Sequence, residues 1–292
     1  MHSLTERVMK AIFWISGLAI IMFLVGILFT LISNSWPALQ QLGLGTFFDA
    51  SYWNPGAYGE PTYSLNNMIL GTFMVTFGAL LFAVPMGVAA ATYLSEIASP
   101  WERELFKPVV EVLAGIPSVV LGFIGLVVVS PIIARVFGIS SGITALTGAI
   151  LVGIMALPTI ITLAEDAITA VPPQYRHASL ALGATRWQTI WKVTVPAAFS
   201  GIIAAAMLGM GRAIGETMTV LMVTGNMLAR PSSFLDSVRT LSANIAIEIG
   251  DVAFNSLHFH ALFVVGLVLF LITFTVNLVA DVLIHRKPEA NK

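Results

Sequence analysis

Long uncharged stretches alternate with short polar segments along most of the chain. Because a helix needs about 20 apolar residues to cross the hydrocarbon core of a bilayer, each uncharged stretch of that length predicts a transmembrane helix. Five such stretches contain no charged residue, and a sixth contains one arginine and one glutamate. The six predicted spans are residues 11–33, 68–94, 112–134, 143–164, 197–224 and 261–280. This pattern predicts an all-α membrane protein with six transmembrane helices.

The composition supports this class and excludes several partners and chemistries. Of the 292 residues, 57% are hydrophobic and 10% are charged, whereas soluble domains carry about 25% charged residues. The formal net charge is −1, so no strong positive field indicates a nucleic-acid partner. Cysteine is absent, which excludes disulfides and cysteine-ligated metals. The lipid bilayer is therefore the predicted environment, and no nucleic-acid partner is predicted.

The distribution of basic residues predicts the orientation in the membrane. Lys and Arg in short loops concentrate on the cytoplasmic side, and six spans place both termini on one side. With the termini inside, the cytoplasmic basic residues are Arg7, Lys10, Arg103, Lys107, Arg176, Arg186, Lys192, Arg286, Lys287 and Lys292. The outer basic residues are Arg135, Arg230 and Arg239. We therefore expect a multi-pass protein of the cell membrane with both termini in the cytoplasm.

Two long outer loops are expected, at residues 34–67 and 225–260. The aromatic residues of the first loop are Trp36, Phe47, Phe48, Tyr52, Trp53, Tyr58 and Tyr63. Such residues usually form a belt at the membrane interface, and a docking surface for an external partner is the other interpretation. In the second loop, His258 and His260 lack the third ligand that a zinc site needs, so no metal is predicted.

Arg212 and Glu216 are the two charged residues inside a predicted span. Residues four apart lie on one face of a helix, within reach of each other. Because an arginine at the bilayer centre costs roughly 3 kcal/mol or more, its side chain must face protein or water. The pair could lock two helices together, or Arg212 could attract a phosphate-like oxyanion in a pathway while Glu216 moderates its binding. Gly201, Ala205 and Gly209, at four-residue spacing, predict a closely packed neighbouring helix.

The predicted cytoplasmic loop 165–196 contains a candidate helix that begins at two prolines. Pro172 and Pro173 can start a helix because proline is accepted at the first helical position. Ala178, Ala181 and Thr185 then fall on one small face. Such a helix could insert into a groove of a cytoplasmic protein or lie on the lipid headgroups, and the pattern alone leaves both possibilities open.

This loop resembles the EAA loop of ATP-binding-cassette (ABC) importer permeases. Their pattern is Glu-Ala-Ala, three residues, Gly, and later a hydrophobic residue and Pro. The corresponding residues here are His177, Ala178, Ser179 and Gly183, followed by Val195 and Pro196. His177 replaces the family's glutamate and Ser179 its second alanine, while the glycine is retained.

Four further segments resemble one family of these permeases, the PstC-type membrane subunits of phosphate importers. They are FFDASYWNP from Phe47, YLSEIASP from Tyr93, LAGIPSVVLGFIGLVVVSP from Leu113 and RAIGETM from Arg212. The resemblance covers about residues 36–277. It implies a type I importer fold and a heteromeric complex with a PstA-like permease, two PstB-like ATPase subunits inside and a PstS-like phosphate-binding protein outside.

The resemblance also implies roles for particular residues. Arg212 and Glu216 match functionally important positions of the substrate pathway. The residues of the ATPase-coupling loop would be His177, Ala178, Ser179, Gly183 and Ala184. The chain has no Walker A motif, because no lysine follows a glycine. It is therefore not predicted to be an enzyme, and ATP and Mg²⁺ would bind to the partner ATPase.

The alternative function is a stand-alone secondary anion transporter or channel, in which broken helices and a midplane charge also occur. Such a protein would not need the EAA-like loop. The sequence predicts three regions: residues 1–67 hold the first span and an outer loop, and residues 68–284 form a permease core of five spans that includes loop 165–196. Residues 285–292 form a cytoplasmic tail.

Overall fold

The computed structural model describes residues 4–57 and 59–285. Within these ranges, five helices are long and apolar enough to cross a membrane. A sixth span results if Arg186–Ala197 and Phe199–Gly215, which are bent by 67° relative to each other, count as a single span. The all-α class is confirmed. Tyr58, the side chain of Arg7 and residues 286–292, with the basic residues predicted in that tail, lie outside the described residues.

Fifteen α-helices and strands follow one another in the described part of the chain. They are α1 Leu4–Thr46, β1 Trp53–Asn54, β2 Thr62–Tyr63, α2 Asn66–Thr92, α3 Pro100–Gly115, α4 Ser118–Ile124, α5 Ser130–Phe137, α6 Ala145–Thr169, α7 Pro173–Ala181, α8 Arg186–Thr189, α9 Val195–Ala197, α10 Phe199–Gly215, α11 Met218–Val223, α12 Leu241–Glu248 and α13 Leu257–His285. Three π-helical segments extend or join them: Tyr93–Ile97 after α2, Gly125–Val129 between α4 and α5, and Ile190–Thr194 between α8 and α9.

The first helix is longer than the sequence pattern predicts. α1 continues to Thr46, with a kink at Gly43 where φ is 74°, so the predicted outer loop from residue 34 begins inside a helix. Polar side chains at this point bond back to the helix itself, since Asn34 Nδ2 donates to the carbonyl oxygen of Thr30 at 2.9 Å. The polar residues therefore end the apolar stretch of the sequence but do not end the helix. Ala38, near the end of α1, belongs to the core that packs against α13.

α6 is the central helix, packed between α2 and α10. A Cβ atom added at Gly209 of α10 would lie 2.6 Å from Cγ1 of Ile160 on α6, and one added at Gly87 of α2 would lie 2.7 Å from Cγ2 of the same residue. Glycine lets both backbones approach this fully buried isoleucine closely. The close neighbour predicted from the small-residue stripe is therefore confirmed, and it is α6.

Two of the predicted spans are interrupted. Residues 112–134 were predicted as one span, but α3 ends at Gly115 and α4 begins at Ser118, because Pro117 lacks the N–H that a continuing helix needs. Residues 197–224 are also divided, into α10 and α11, which are separated by Glu216 and Thr217. No proline lies at this second break. Hydropathy alone does not detect either interruption, because the residues on both sides of each break are apolar.

The two ends of the bundle are built differently. One end carries the β1–β2 hairpin, α12 and the segment 225–240, and we call it the hairpin end. There the carbonyl oxygens of Asp236 and Phe234 accept hydrogen bonds from the first N–H groups of α6, at 2.9 and 2.8 Å. Backbone and hydroxyl hydrogen bonds from Ser232 lower the pKa of the Asp236 carboxyl group and hold this turn. The other end carries α7, and we call it the α7 end.

Candidate functional site

The two helix interruptions lie side by side against α6. Thr219 Oγ1, in α11, lies 3.0 Å from the carbonyl oxygen of Ser118, in α4, and 3.2 Å from Sδ of Met155, in α6. Interrupted helices leave backbone groups that a membrane tolerates only where protein or water satisfies them. The paired interruptions therefore mark a polar site within the apolar bundle.

Glu216 caps the helix that follows it. α10 ends at Gly215, and Glu216 has extended backbone angles of φ −67° and ψ 128°. Its Oε1 accepts a hydrogen bond from the backbone N–H of Thr219 at 3.1 Å, which satisfies one of the free N–H groups at the start of α11. Ser242 Oγ donates to the Glu216 carbonyl oxygen at 2.9 Å, so α12 also reaches the interruption.

The interpretation in which Arg212 and Glu216 pair with each other and lock two helices together does not hold. Among the described residues, no salt bridge joins the two side chains, because the chain leaves the helix between them and the four-residue spacing no longer places them on one face. The signal in the sequence was Gly215, because glycine is unfavourable in the interior of a helix.

Arg212 lies on an exposed face of α10, one turn before the interruption. Its Nη1 donates to Oγ1 of Thr159, in α6, at 3.2 Å. A guanidinium has five N–H donors, and this is the one side-chain hydrogen bond that Arg212 makes within the described residues. Because an arginine inside an apolar span must meet protein or water, this face needs a partner polypeptide or a hydrated space beside it.

The predicted coupling helix is α7, which begins at Pro173 as the two prolines indicate. It ends at Ala181, and the chain turns at Gly183 with φ at 85°. Thr185 does not continue the predicted face, because it starts α8, where its Oγ1 accepts from the backbone N–H of Gln188 at 3.2 Å. That part of the prediction is wrong, since the left-handed glycine ends the helix first.

The five predicted coupling residues all lie in α7 or in the turn after it. His177, Ala178 and Gly183 are exposed, and Ala184 is half-buried. Ser179 Oγ lies 2.9 Å from Oγ1 of Thr189, which connects α7 to the end of α8. The large apolar side chains exposed around them are Tyr175, Leu180, Leu182, Trp187 and Trp191, of which Leu182 is 90% exposed.

A polar cluster at the hairpin end was not predicted. Glu248, the last residue of α12, accepts hydrogen bonds from Trp53 Nε1 at 2.8 Å and Arg239 Nη1 at 3.0 Å, and its Oε2 lies 2.8 Å from His258 Nε2. We call these four residues the Glu248 cluster. Burial lowers the pKa of the Arg239 guanidinium, and the Glu248 carboxylate opposes that shift. The cluster joins both outer loops to the start of α13.

The aromatic residues of the first outer loop divide into two sets. Phe47, Trp53 and Tyr63 are buried in the core of the hairpin end, so they serve neither as an interfacial belt nor as a docking surface. Trp36, Phe48 and Tyr52 are exposed. His260 likewise has an internal partner, since its Nδ1 lies 2.7 Å from the carbonyl oxygen of Asn34. In the part of the chain that the structure describes, no three residues are grouped to hold a metal ion.

A bundle of spans with paired interruptions and an exposed helix between two spans defines a membrane transport subunit. Residues 83–287 match the family described as the binding-protein-dependent transport system inner membrane component. This match covers more than half of the chain, and the chain belongs to that family. It is a membrane-spanning permease subunit of an ABC importer, a class of proteins that are not themselves enzymes.

Two relatives show the extent of the sequence similarity. The chain is 42% identical over 241 residues to the "Probable ABC transporter permease protein YqgH" of Bacillus subtilis. This alignment covers 82% of this chain and 78% of the relative. It is 31% identical over 312 residues to the "Phosphate transport system permease protein PstC" of Pasteurella multocida. This alignment covers 100% of this chain and 96% of the relative.

Solved structures show the fold. A chain of a bacterial alginate ABC transporter superposes with a TM-score of 0.64 at 15% identity, covering 99% of both chains. A chain of the MetNI methionine ABC transporter superposes with a TM-score of 0.58 at 20% identity, covering 75% of this chain and 94% of that one. The type I ABC importer permease fold expected from the sequence is therefore confirmed.

Proposed function

We propose that this chain is the permease subunit of an ATP-driven phosphate importer and forms the translocation pathway together with a PstA-like sister permease. The observation that carries the proposal is Arg212, a guanidinium exposed in the last turn of α10, beside the two helix interruptions. Its planar donors suit a phosphate oxyanion. The name of the Pasteurella relative supports phosphate as the substrate.

The unpaired surface of the chain supports a sister permease. α3 carries five charged residues among its sixteen and yet has no buried residue. Its Lys107 forms a salt bridge to Glu165 of α6 at 2.9 Å, which fixes one side of the helix. α3 is not among the helices long and apolar enough to cross the membrane, so its exposed charges can meet water. Arg212 lies inside an apolar helix, where a charged side chain faces protein or water rather than lipid, and the exposed face around it is the surface that the sister subunit would cover.

The proposed transport cycle follows from the two ends of the bundle. The excess of basic residues supports a cytoplasmic location for the α7 end and both termini. Two PstB-like ATPases, one of them on α7, would bind the permease pair there and hold ATP and Mg²⁺. A PstS-like protein would deliver phosphate at the hairpin end. ATP binding would open the pathway outward and hydrolysis would return it inward. Arg212 would bind phosphate only transiently, since a pathway site must also release its ion.

Reconstitution of the whole importer tests this function. The chain, its sister permease and the ATPase are placed in proteoliposomes, and uptake of radioactive phosphate is measured with and without ATP and the binding protein. We expect uptake only when all components and ATP are present, and none with an ATPase variant that cannot hydrolyse ATP. Uphill phosphate uptake by this chain alone would instead establish a secondary transporter.

Gly183 provides a test of the coupling helix. A branched side chain in the left-handed region costs about 1–2 kcal/mol, so Gly183→Val is expected to distort the turn after α7 and to uncouple or release the ATPase. Space is not the obstacle, because a Cβ atom at Gly183 would meet nothing within 4 Å. Asn adopts the left-handed conformation more readily, so Gly183→Asn should lose less. The measurement is ATPase co-purification and phosphate-stimulated hydrolysis. If the Val variant stays fully coupled, the coupling helix has been misplaced.

A further inference from the structure

Arg176 connects three segments at the α7 end. It lies in the first turn of α7, and its Nε and Nη2 both donate to Oε1 of Glu96, at 2.9 and 2.6 Å. Nη1 donates to the carbonyl oxygen of Val171 at 2.7 Å, and Nη2 also donates to that of Ile168 at 3.0 Å. Glu96 belongs to the π-helical end of α2 and Ile168 to the last turn of α6, so one guanidinium bonds to both spans.

The environment of this contact makes it stronger than an ordinary surface ion pair. The side chains of Arg176 and Glu96 are 22% and 10% exposed, so solvent screens their attraction less than at an open surface. The last carbonyl groups of a helix lack partners within the helix, and a cation close to them is favourable. Arg176 donates to one carbonyl in the last turn of α6, that of Ile168, and to the carbonyl of Val171 just after the helix.

Apolar packing does little to hold α7 in place. None of its nine residues is buried, and the side-chain hydrogen bond from Ser179 joins it to α8 rather than to α2 or α6. A helix that does not pack into the core transmits force to the spans through its specific bonds. Arg176 provides the bonds that lead from α7 to the two central spans.

We infer that Arg176 is a positioning residue that transmits the movement of α7 to α2 and α6. The inference rests on the proposed function, in which α7 receives that movement from the ATPase. A rigid path continues along α6 from Ile168 to Thr159, which bonds Arg212. α6 also packs on α2 and α10 through Ile160. A displacement of α7 therefore reaches the interrupted helices through one continuous helix.

Lysine is the informative replacement, because it keeps the charge and loses the planar fork. A lysine ammonium is a compact point charge on a flexible stem and cannot reproduce the fork that bonds the carboxylate and two carbonyls together. Arg176→Lys is expected to lower the phosphate transported per ATP hydrolysed by roughly tenfold, within the range typical of coupling between sites. Glu96→Gln should act in the same direction, and the two changes together should be non-additive because they remove one shared contact.

The experiment uses the complete importer in proteoliposomes and measures phosphate uptake, ATP hydrolysis and the amount of ATPase bound. The expected result is normal ATPase content, continued hydrolysis and a low ratio of uptake to hydrolysis. Arg135→Lys, the same replacement at an exposed arginine near the hairpin end, is the matched control and should keep the wild-type ratio. Wild-type uptake in the unaltered complex is measured in parallel.

Three results would overturn the inference. A normal ratio in both Arg176→Lys and Glu96→Gln would show that the contact does not transmit movement, and loss of the ATPase from the complex would make Arg176 a docking residue instead. Additive effects in the double variant would mean that the two residues act separately. Failure of the unaltered complex to take up phosphate would contradict the proposed function itself, which separates the two hypotheses.

Discussion

Arg212→Gln is expected to reduce ATP-driven phosphate uptake roughly 100-fold while the importer complex still assembles. Glutamine keeps a similar length but has neither the charge nor the fork of donors that suits an oxyanion. Loss of hydrogen bonds to a charged group costs about 3 kcal/mol at the upper end of the usual range, which corresponds to a factor of roughly 100 in uptake. The complex should persist because, among the described residues, Arg212 forms no salt bridge whose loss would leave a carboxylate unpaired.

Two control variants locate the effect at the guanidinium. Arg212→Lys retains the positive charge and should retain part of the uptake. Thr159→Val removes the hydroxyl that bonds Nη1 of Arg212, so the guanidinium loses its orientation but not its charge, and a smaller loss is expected. The measurements are initial uptake rates over a range of phosphate concentrations, with subunit content determined on the same vesicles. Wild-type uptake by the Gln variant would remove Arg212 from the pathway.

The spans were predictable because membrane insertion imposes a simple requirement on composition. A stretch of about 20 residues without charge has few alternatives to a helix across the bilayer, and two adjacent prolines mark the start of α7. The small-residue stripe on α10 predicted a close neighbour because only small side chains let helix backbones approach. Each of these signals is local and depends on one physical cause.

The interruptions were harder to predict because they depend on tertiary contacts. Pro117 lies in an apolar run that scores as a continuous span, and whether a proline kinks or breaks a helix depends on what satisfies the freed carbonyls. Here Thr219 of a second interrupted helix donates to Ser118. The ion pair that does not form has the same origin, since the spacing of Arg212 and Glu216 has meaning only if the helix continues.

The hairpin end could not be read from the sequence for a different reason. An aromatic cluster has no periodicity, so composition does not distinguish a buried Trp53 from an exposed Tyr52. Glu248 stands 195 positions from Trp53 along the chain, and a single sequence gives no indication that the two meet. Arg176 and Glu96, 80 positions apart, were missed for the same reason.

Glu248→Gln is expected to loosen the hairpin end strongly. Glutamine has nearly the same shape but no charge, so it loses the ion pair to Arg239 and leaves a mostly buried guanidinium without a counter-charge. Breaking such a pair costs roughly 3 kcal/mol, which corresponds to a roughly 100-fold larger open population, and so to roughly 100-fold faster exchange when reclosing is faster than exchange. Hydrogen exchange measured by mass spectrometry on the assembled importer should show this increase at the β1–β2 hairpin and α12.

The matched control is Asp251→Asn, which neutralises an exposed carboxylate in the same loop and should leave exchange unchanged. The loosening should also reach the interrupted spans, because Ser242 of α12 donates to the Glu216 carbonyl oxygen. Exchange at α11 should therefore rise less than at the hairpin but more than at the α7 end. Equal exchange in the Gln variant and the Asn control would mean that apolar packing around Trp53, rather than the Glu248 cluster, holds the outer loops together.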